Sequence, residues 1–547
     1  MSNSDSIYDG LIVGAGHHGL ILGTYLAKAG LQVAVLERRN DYGGGCSTEE
    51  VTLPGFRHNL HSTNHFSVTA TPWYRDLGLE TDVRYLTPTY EFAQPHLDGT
   101  ALVFSRDIDE TAASIARFSQ SDAGTFREWN QRAEEMTSEI FLKERFAEPL
   151  TEEFRAELLD RSPVGRDFLA MTERQPGEVV DELFENERVK VLFMFKLSLF
   201  GTVLHETLGT RSPTGSLIRA FDLTTGYQLC VGGSRKLTDG LMRAFTAAGG
   251  TYIDQAEVER IEVHGGKVTG VALADGRELT ARQFVASTVD VHQTFQRFLP
   301  GGVLPDEYVT KVEAFRYTNW ALYGLHLALR EPPRYTSADF DPHVNRAMKY
   351  NIGSESIASL KQAHEEVEAG VIPTEIQFGA GSLTVLDPSQ APAGNHTAYA
   401  WHVVPFAPGG DPANLDAAKE DLRDRILEKW RRYAPNLTDD NILASAMYTP
   451  TDYSKEILNM YRGDIMMGAI DGGQVMYNHF GYRTPVDGLY MAGSTAHPNG
   501  GITGGAGYIV AGLIANDLGI KPWWTPVDAD AALSNLPSAA RDGRVSV

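Results

Sequence analysis

Gly14-Ala15-Gly16-His17-His18-Gly19 is the stretch that decides the fold of this chain. It follows a short apolar run from Tyr8 to Val13 and opens a segment whose apolar side chains recur with helical spacing up to Gly30. A short apolar run is typical of a buried strand, and a glycine after a helical repeat is typical of a helix end. The pattern therefore predicts a strand, a tight turn and a helix, in that order.

Each glycine of this turn has a physical reason. Gly14 permits the turn itself, and Gly16 lets a pyrophosphate approach the backbone amides at the helix N-terminus. Gly19 lets the helix pack closely on the strand. The next predicted strand, Leu31 to Leu36, is followed by Glu37, whose carboxylate is placed to accept from a ribose hydroxyl. An acid at this position argues against a 2′-phosphate, and so against NADP.

A second glycine-rich element lies near the other end of the sequence. Ala492-Gly493-Ser494 runs into Gly500-Gly501-Ile502-Thr503-Gly504-Gly505, and a helix is expected to begin near Thr503. One dinucleotide contacted from both ends of a chain is a flavin arrangement, so the two elements together predict FAD. The segment from Gly379 to Thr384 lacks the third glycine of the motif, so no separate NAD(P) domain is predicted.

Charge and cysteine content exclude several classes of protein. The 547 residues include 71 acidic and 48 basic side chains, a formal charge of −23, and no basic patch that would bind nucleic acid. Cys46 and Cys230 form no C-x-x-C and no metal-ligand spacing, so neither a redox disulfide nor a metal site is predicted. The first residues are polar and show no cleavable targeting pattern, which favours a cytoplasmic protein.

Membrane contact rests on one segment. No uninterrupted apolar run of about 18 or more residues occurs, so no transmembrane helix is predicted. The nearest candidate, Val189 to Leu204, is interrupted by Lys190 and Lys196. It is either a buried or channel-lining helix or a face that docks on a membrane surface. The sequence does not define an oligomeric state.

The order of the elements predicts an α/β fold in which a discontinuous, Rossmann-like FAD-binding domain carries an inserted α+β substrate domain. A chain of this length is too long for one compact core. We assign residues 1–105, 226–304 and 463–525 to the FAD-binding domain, residues 106–225 and 305–462 to the substrate-binding domain, and residues 526–547, rich in Ala, Ser and Asp, to a loose C-terminal tail.

Two alternating segments in the second insertion are candidates for the substrate pocket. Tyr317 to Leu329 and His396 to Phe406 alternate with period two, which is typical of a sheet with two different faces. Their larger side chains either line an apolar or aromatic pocket or fill the core between sheet and helices. The candidates are Trp320, His326, Tyr399, Trp401 and His402.

Several stretches resemble a known group of proteins. They are Val35-Leu36-Glu37-Arg38-Arg39 with Gly43-Gly44, Gly232-Gly233, Tyr482-Arg483-Thr484-Pro485, and Gly488-Leu489-Tyr490 through Gly504. This pattern is similar to the phytoene desaturase-related FAD-dependent oxidoreductases within the amine oxidase and phytoene desaturase superfamily. Within it, the pattern most resembles the branch called pyridine nucleotide-disulfide oxidoreductase domain-containing protein 2. The disulfide in that name finds no support here, because paired cysteines are absent from the sequence.

The resemblance implies a set of cofactor-binding residues. Val258 would contact the adenine, Gly493 would lie at the pyrophosphate, Ile502 and Thr503 would meet the flavin, and Ser62 lies in a segment expected near the isoalloxazine ring. His18 stands where this branch often has Asn, and Gly45 replaces an Arg. The residues implied for the ADP half and its approach are Gly14, Gly16, His18, Gly19, Glu37, Arg38, Gly44 and Gly45.

Two histidines are candidates for a catalytic base. His61 and His65 are expected at the edge of the flavin ring, and an imidazole has a pKa suited to proton transfer near neutral pH. The alternative for each is a hydrogen bond to the flavin or to its own loop.

The resemblance implies an FAD-dependent oxidoreductase that dehydrogenates an apolar or aromatic small molecule, with electrons passing to O₂ or a quinone. Three alternatives remain open. One is a flavin amine oxidase, and another is a redox-silent, FAD-dependent isomerase or hydratase. The third is a non-enzymatic lipid-binding escort of the Rab GDP-dissociation-inhibitor type, against which the intact phosphate-binding glycines argue.

Overall fold

The computed structural model describes residues 7–172, 174–198, 218, 220–222, 226–469, 474 and 479–537. The strands are β1 Ile7–Val13, β2 Val33–Leu36, β3 His65–Phe66, β4 Tyr85–Leu86, β5 Tyr90–Pro95, β6 Ala101–Ser105, β7 Tyr227–Cys230, β8 Thr251–Ile253, β9 Val258–His264, β10 Lys267–Leu273, β11 Glu278–Ser287, β12 Trp320–Leu329, β13 Lys349–Ile352, β14 Phe378–Gly381, β15 His396–Pro405, β16 Ile442–Tyr448 and β17 Leu489–Met491.

The helices are α1 His17–Lys28, α2 Pro72–Asp76, α3 Ile108–Ala116, α4 Gln120–Met136, α5 Leu142–Glu144, α6 Glu152–Asp160, α7 Pro163–Thr172, α8 Pro176–Leu183, α9 Glu187–Ser198, α10 Arg235–Ala247, α11 Asp306–Glu313, α12 Ile357–Glu368, α13 Ala413–Ala417, α14 Lys419–Arg431, α15 Pro450–Glu456, α16 Gly505–Asp517 and α17 Ala529–Ser534. Short 3-10 or π-helical segments lie at Val68–Ala70, Leu79–Thr81, Thr137–Phe141, Gln293–Phe298, Thr336–Asp339, Pro342–Arg346, Leu383–Val385, Pro388–Gln390, Pro408–Gly410 and Tyr461–Gly463.

The first sheet collects strands from distant parts of the chain. Its order is β8-β2-β1-β11-β10-β9, and β17 pairs with β11. The strands β8, β2, β1, β11 and β17 run parallel to their neighbours, whereas β9, β10 and β11 form an antiparallel meander. Parallel strands buried on both faces have continuous apolar sequences, which is why β1 and β2 are predictable from the sequence. Helices α1, α10 and α16 pack against this sheet in one core.

The second sheet has two faces of different character. Its order is β16-β12-β15-β14-β13-β5-β6. One face packs on α14, where Tyr323 and Trp430 are buried in the same apolar cluster. On the opposite face, which we call the inner face, His326 lies across from Tyr399 and Gly324 lies across from Trp401. A short third sheet, β3-β7-β4, completes the strands.

The structure corrects one predicted boundary. The prediction places residues 90–105 in the FAD-binding domain, yet they form β5 and β6, which pair with β13 in the second sheet. Short alternating strands carry no local signal for the sheet that they join, because their partner lies more than 200 residues away in the sequence.

Two end segments also differ from expectation. The tail, predicted to be loose, contains α17, whose Leu533 is only 1% exposed in the core of the helical insertion. Asp528 caps this helix by accepting from the Ala531 amide, which the sequence pattern allows. The last nucleotide-domain helix begins at Gly505 rather than at Thr503.

The candidate membrane segment is buried where it is described. Helix α9 covers residues 187–198, and most of its side chains, Lys196 included, lie in the interior. This burial favours the core-helix alternative for that part, while residues 199–204 lie outside the described residues. None of the helices in the described ranges combines the length and apolar content needed to span a bilayer. Cys46 and Cys230 are buried and unlinked.

Candidate functional site

A cleft with about 960 Å³ of empty space opens where the N-terminus of α1 meets the carboxyl ends of β1 and β2. Crevices at this edge of a parallel sheet are the usual place for a nucleotide, and the volume suits one. The residues predicted for the cofactor that line this nucleotide cleft are Gly14, Gly16, His18, Glu37, Arg38, Gly44, Gly45 and Val258.

The glycines shape the nucleotide cleft in different ways. Gly16 faces open space, so nothing blocks a phosphate from its backbone. Gly14 has a φ of +101°, which only glycine adopts easily. A Cβ on Gly19 would lie 2.1 Å from the Gly14 carbonyl oxygen, and one on Gly493 would lie 2.4 Å from the Thr288 carbonyl oxygen. Gly19 and Gly493 therefore act through packing and do not line the cleft.

Glu37 is held in place by the backbone on both sides of its carboxylate. Its Oε2 accepts from the Ala15 amide and its Oε1 from the Arg39 amide, each at 3.1 Å. A carboxylate offers about four lone-pair positions, so two remain for further donors. The chemistry of Glu37 therefore fits the hydroxyls of a ribose.

The two histidines of the phosphate loop are buried and neutral. Burial lowers the pKa of His17 to about 4, and burial with the neighbouring His17 holds the pKa of His18 well below its usual range. His18 Nδ1 accepts from the Gly507 amide at 3.2 Å, which leaves the proton on Nε2. No described residue hydrogen-bonds to the Nε2 of either ring, although both histidines line the cleft. A spare imidazole donor at this place fits the phosphate oxygens of FAD.

One wall of the nucleotide cleft comes from the second insertion, and sequence reasoning missed it. Arg38, predicted for the ADP half, donates from Nη2 to the Glu456 carbonyl at 2.7 Å and to the Lys455 carbonyl at 3.1 Å. Gln293 donates to the Leu458 carbonyl at 3.1 Å. These partners are separated by up to 418 positions, so no local pattern could have revealed them.

The remaining predicted cofactor residues lie beside the nucleotide cleft without lining it. Thr503 is buried, and its carbonyl accepts from Trp73 Nε1 at 2.9 Å, next to the start of α16. The Ser62 carbonyl accepts from the Ser234 hydroxyl, which ties the 61–65 segment to α10. Ile502 is half-buried beside Thr503. Ser494, the neighbour of Gly493, does line the cleft and was not predicted.

His61 lies at the junction of the nucleotide cleft and the inner face. Its side chain is 1% exposed, and its Nε2 lies 3.4 Å from Glu456 Oε2. Its Cβ is 3.8 Å from the position that a Cβ on Gly45, in the cleft lining, would occupy. On the other side, its ring meets Tyr453 edge to face at 5.3 Å. No described residue hydrogen-bonds to either ring nitrogen.

His65 has a different setting. It lies on β3, where its Nδ1 shares a hydrogen bond of 2.6 Å with the Tyr85 hydroxyl. Burial, with a smaller effect of His17, lowers its pKa to about 3. It does not line the nucleotide cleft. Of the two candidates for a base, His61 has the free nitrogens and the carboxylate neighbour.

The predicted substrate residues divide between the two faces of the second sheet. Trp320, His326, Tyr399 and Trp401 share the inner face, as strand alternation and the pairing of β12 with β15 require. His402 follows Trp401 directly, so it points to the opposite face, where its Nδ1 donates to the Gln377 carbonyl at 2.8 Å. The structure thus separates His402 from the other four.

Three further residues at the inner face had no signal in the sequence. Tyr448 closes β16, and Tyr453 and Glu456 lie on α15. The spacing i, i+3 puts Tyr453 and Glu456 on one side of that helix, where both face His61. Their part in the site follows only from the way the insertion folds back on the nucleotide cleft.

Comparison with known proteins agrees with this geometry. Residues 19–514 match the sequence profile described as flavin containing amine oxidoreductase. The chain is 32% identical to a limonene dehydrogenase polypeptide of Castellaniella defragrans over 95% of its own length and 96% of that protein. It is 26% identical to pyridine nucleotide-disulfide oxidoreductase domain-containing protein 2 of Rattus norvegicus, covering 93% and 94% of the two chains.

Two further likenesses widen the picture. The chain is 25% identical to the lycopene-forming phytoene desaturase of a Paracoccus species, over 94% of this chain and 99% of that one. Among solved structures, a variant of putrescine oxidase superposes with a TM-score of 0.61 at 16% identity, covering 93% of this chain and 99% of that one. At that identity the likeness shows the fold alone.

Proposed function

The chain belongs to the flavin containing amine oxidoreductase family and is an FAD-dependent oxidoreductase, and we propose that it dehydrogenates an apolar or aromatic small molecule. The resemblance predicted from the sequence is confirmed by the family match. The names of the relatives at 32% and 25% identity, limonene dehydrogenase and phytoene desaturase, support an apolar substrate. We further propose that electrons leave to O₂ or a quinone.

The residues of the nucleotide cleft fit FAD on structural grounds. Gly14 and Gly16 would admit the pyrophosphate, Glu37 would accept from the ribose, and His18 would offer its Nε2–H to a phosphate oxygen. Bound FAD supplies an acceptor for two electrons and a hydride. The protein contributes the orientation of the cofactor and the exclusion of water around it.

The observation that carries this proposal is the position of His61. It is buried between the nucleotide cleft and the aromatic inner face, and both of its nitrogens lack a hydrogen-bond partner among the described residues. An imidazole in this place can take the proton that a dehydrogenation releases. Glu456 lies beside it with its side chain 31% exposed, so the proton has a carboxylate through which it can reach solvent.

The test begins with the absorbance spectrum of the purified holoprotein before and after anaerobic dithionite, and again after air. Flavin bands that bleach and return establish a redox-active cofactor. Apolar and aromatic candidates are then screened anaerobically for bleaching, with O₂ or a soluble quinone added afterwards to regenerate the bands. A colourless protein that FAD cannot reconstitute would overturn the proposal, and so would a flavin that turns over a substrate without net reduction of any acceptor.

An amine substrate is the second candidate, and one observation favours it. Glu49 and Glu456 lie near each other beside His61, and burial together with the charge of Glu456 raises the pKa of Glu49. Paired carboxylates attract an ammonium group and can draw an amine into the site. Release of ammonia and an aldehyde from simple amines would decide for this candidate, whereas bleaching by hydrocarbons alone would decide against it.

A further inference from the structure

Two buried polar atoms on the inner face have no partner. Tyr453 and His326 are 2% and 1% exposed. No described residue hydrogen-bonds to the Tyr453 hydroxyl or to His326 Nε2. A buried polar atom without a partner costs about 1–3 kcal/mol, and proteins keep few of them without a use.

The two atoms converge on one point of the sheet. The position that a Cβ on Gly324 would occupy lies 2.0 Å from the Tyr453 hydroxyl oxygen and 3.4 Å from His326 Nε2. The two atoms are therefore close enough for a single oxygen atom to lie within hydrogen-bonding reach of both. Any side chain at position 324 would displace the Tyr453 hydroxyl, so glycine is what lets the tyrosine approach the sheet.

The surroundings hold both side chains firmly. Helix α15, which carries Tyr453, is capped by Thr449 and Asp452, and Lys419 binds Asp452 at 2.6 Å. The Tyr453 ring stacks on Tyr448 at 5.6 Å, and the Tyr448 ring in turn meets His326 at 5.9 Å. Groups fixed in this way before binding lose little entropy when a ligand arrives.

Both groups are uncharged at neutral pH. Burial, aided by His58 and His61, holds the pKa of His326 well below its usual range. Burial, aided by Tyr448 and Glu456, holds the pKa of Tyr453 well above its usual range. A neutral hydroxyl and a neutral imidazole can bind an uncharged oxygen but offer no counter-charge for a carboxylate, and Glu456 nearby would repel one.

We propose that the substrate is an otherwise apolar molecule with one hydroxyl or carbonyl oxygen, and that Tyr453 and His326 bind this oxygen beside His61. This inference rests on the proposed function and narrows its substrate class. The Tyr453 hydroxyl both donates and accepts, so it matches a hydroxyl or a carbonyl; His326 is then a positioning group on the other side of the same oxygen. The apolar remainder of the molecule would lie against Tyr399 and Trp401 on the inner face.

The experiment compares two probes that differ by one oxygen, butylbenzene and 4-butylphenol, on the holoprotein. Each is titrated while the flavin absorbance is recorded, with wild-type protein, Tyr453→Phe and Tyr448→Phe. We expect wild-type protein to bind the phenol about tenfold more tightly than the hydrocarbon. Tyr453→Phe should weaken phenol binding about tenfold and leave butylbenzene unchanged. Tyr448→Phe, which removes a neighbouring hydroxyl from the same face, should change neither.

Several outcomes would overturn the inference. Equal affinity of the wild-type protein for both probes, or no spectral response to either, would mean that the two atoms hold only water. Equal weakening of both probes by Tyr453→Phe would mean that the ring packs against ligands and the hydroxyl recognises nothing. A wild-type protein without flavin bands fails before any titration, so failure of the proposed function is seen separately.

Discussion

The nucleotide cleft is shaped by backbone, whereas the inner face of the second sheet is equipped with side chains. In the cleft, Gly19 and Gly493 are needed because a single methyl group would collide with a carbonyl oxygen. On the inner face, His61, His326 and Tyr453 present polar atoms that no described residue satisfies. A shape made by backbone tolerates no added atom, and a chemistry made by side chains tolerates no removed one. Changes of opposite kind should therefore damage the two regions.

The largest effect is expected from removing a side chain at the inner face. His61→Ala should lower turnover about 10²- to 10⁴-fold, the range for loss of a general base, because the released proton loses its acceptor. Flavin content should stay unchanged, since His61 lies behind the cleft. Turnover and flavin absorbance are measured on the same preparation. The exposed His264→Ala serves as the control, and loss of flavin with normal turnover per bound flavin would contradict the prediction.

The next effect is expected from adding a methyl group at the nucleotide cleft. Gly19→Ala places its Cβ 2.1 Å from the Gly14 carbonyl oxygen, so α1 must move away from β1. We expect FAD affinity to fall at least about tenfold, as overpacking costs about 1–3 kcal/mol. Equilibrium titration of the apoprotein with FAD measures it. Gly301→Ala, at an exposed site with open space, should bind FAD normally. Normal affinity in Gly19→Ala would break the comparison.

Acid should weaken both regions together. Burial lowers the pKa of His17 in the cleft and of His58 behind the inner face to about 4, from 6.5. Because the unfolded chain binds these protons first, stability is lost as the pH falls from about 6.5 towards 4, by at most about 1.4 kcal/mol per pH unit for each histidine.

The check is the Tm at pH 7.5 and pH 5, with flavin fluorescence followed in the same scans. We expect a lower Tm at pH 5 and flavin release that coincides with unfolding. His58→Asn should bring the two Tm values closer together. Flavin release from a protein that stays folded at pH 5 would show that the cleft and the inner face lose their structure independently.

The smallest effect is expected far from both regions. Gly124 lies at an exposed position inside α4, and a Cβ there would meet no atom within 4 Å. Gly124→Ala should therefore raise the free energy of unfolding by about 0.5–1 kcal/mol, the usual gain from alanine in a helix. Denaturant unfolding measures it, with FAD affinity and turnover unchanged. Destabilisation would mean that α4 has a contact at this position that the packing does not reveal.

How much the sequence predicted follows the same division. The strand, turn and helix around Gly14 and the acid at Glu37 are local patterns with fixed spacing, so the front of the nucleotide cleft was predictable residue by residue. The wall at residues 455–458 and the arrival of Tyr453 beside His61 depend on contacts across hundreds of positions, and a sequence pattern carries no register for those.

Alternation also set a limit on the substrate pocket. The period of two correctly marked β12 and β15 as strands with two faces. It also implies that Trp401 and His402, as neighbours, face opposite sides, a consequence that the predicted pocket overlooks. Residues 90–105 illustrate the opposite limit, because nothing within β5 or β6 indicates which sheet they join.

The pairing of β17 with β11 bears on how the protein is made. The phosphate loop leaves the ribosome early, yet Ser494 and the strand before it complete the cleft only after almost the whole chain has been synthesised. At about 5–20 residues per second, the delay between them is roughly half a minute to a minute and a half. During that time the nascent chain exposes an unfinished sheet edge that chaperones must guard. FAD thus meets a released chain, and the supply of flavin in the cell governs how much of the new protein matures.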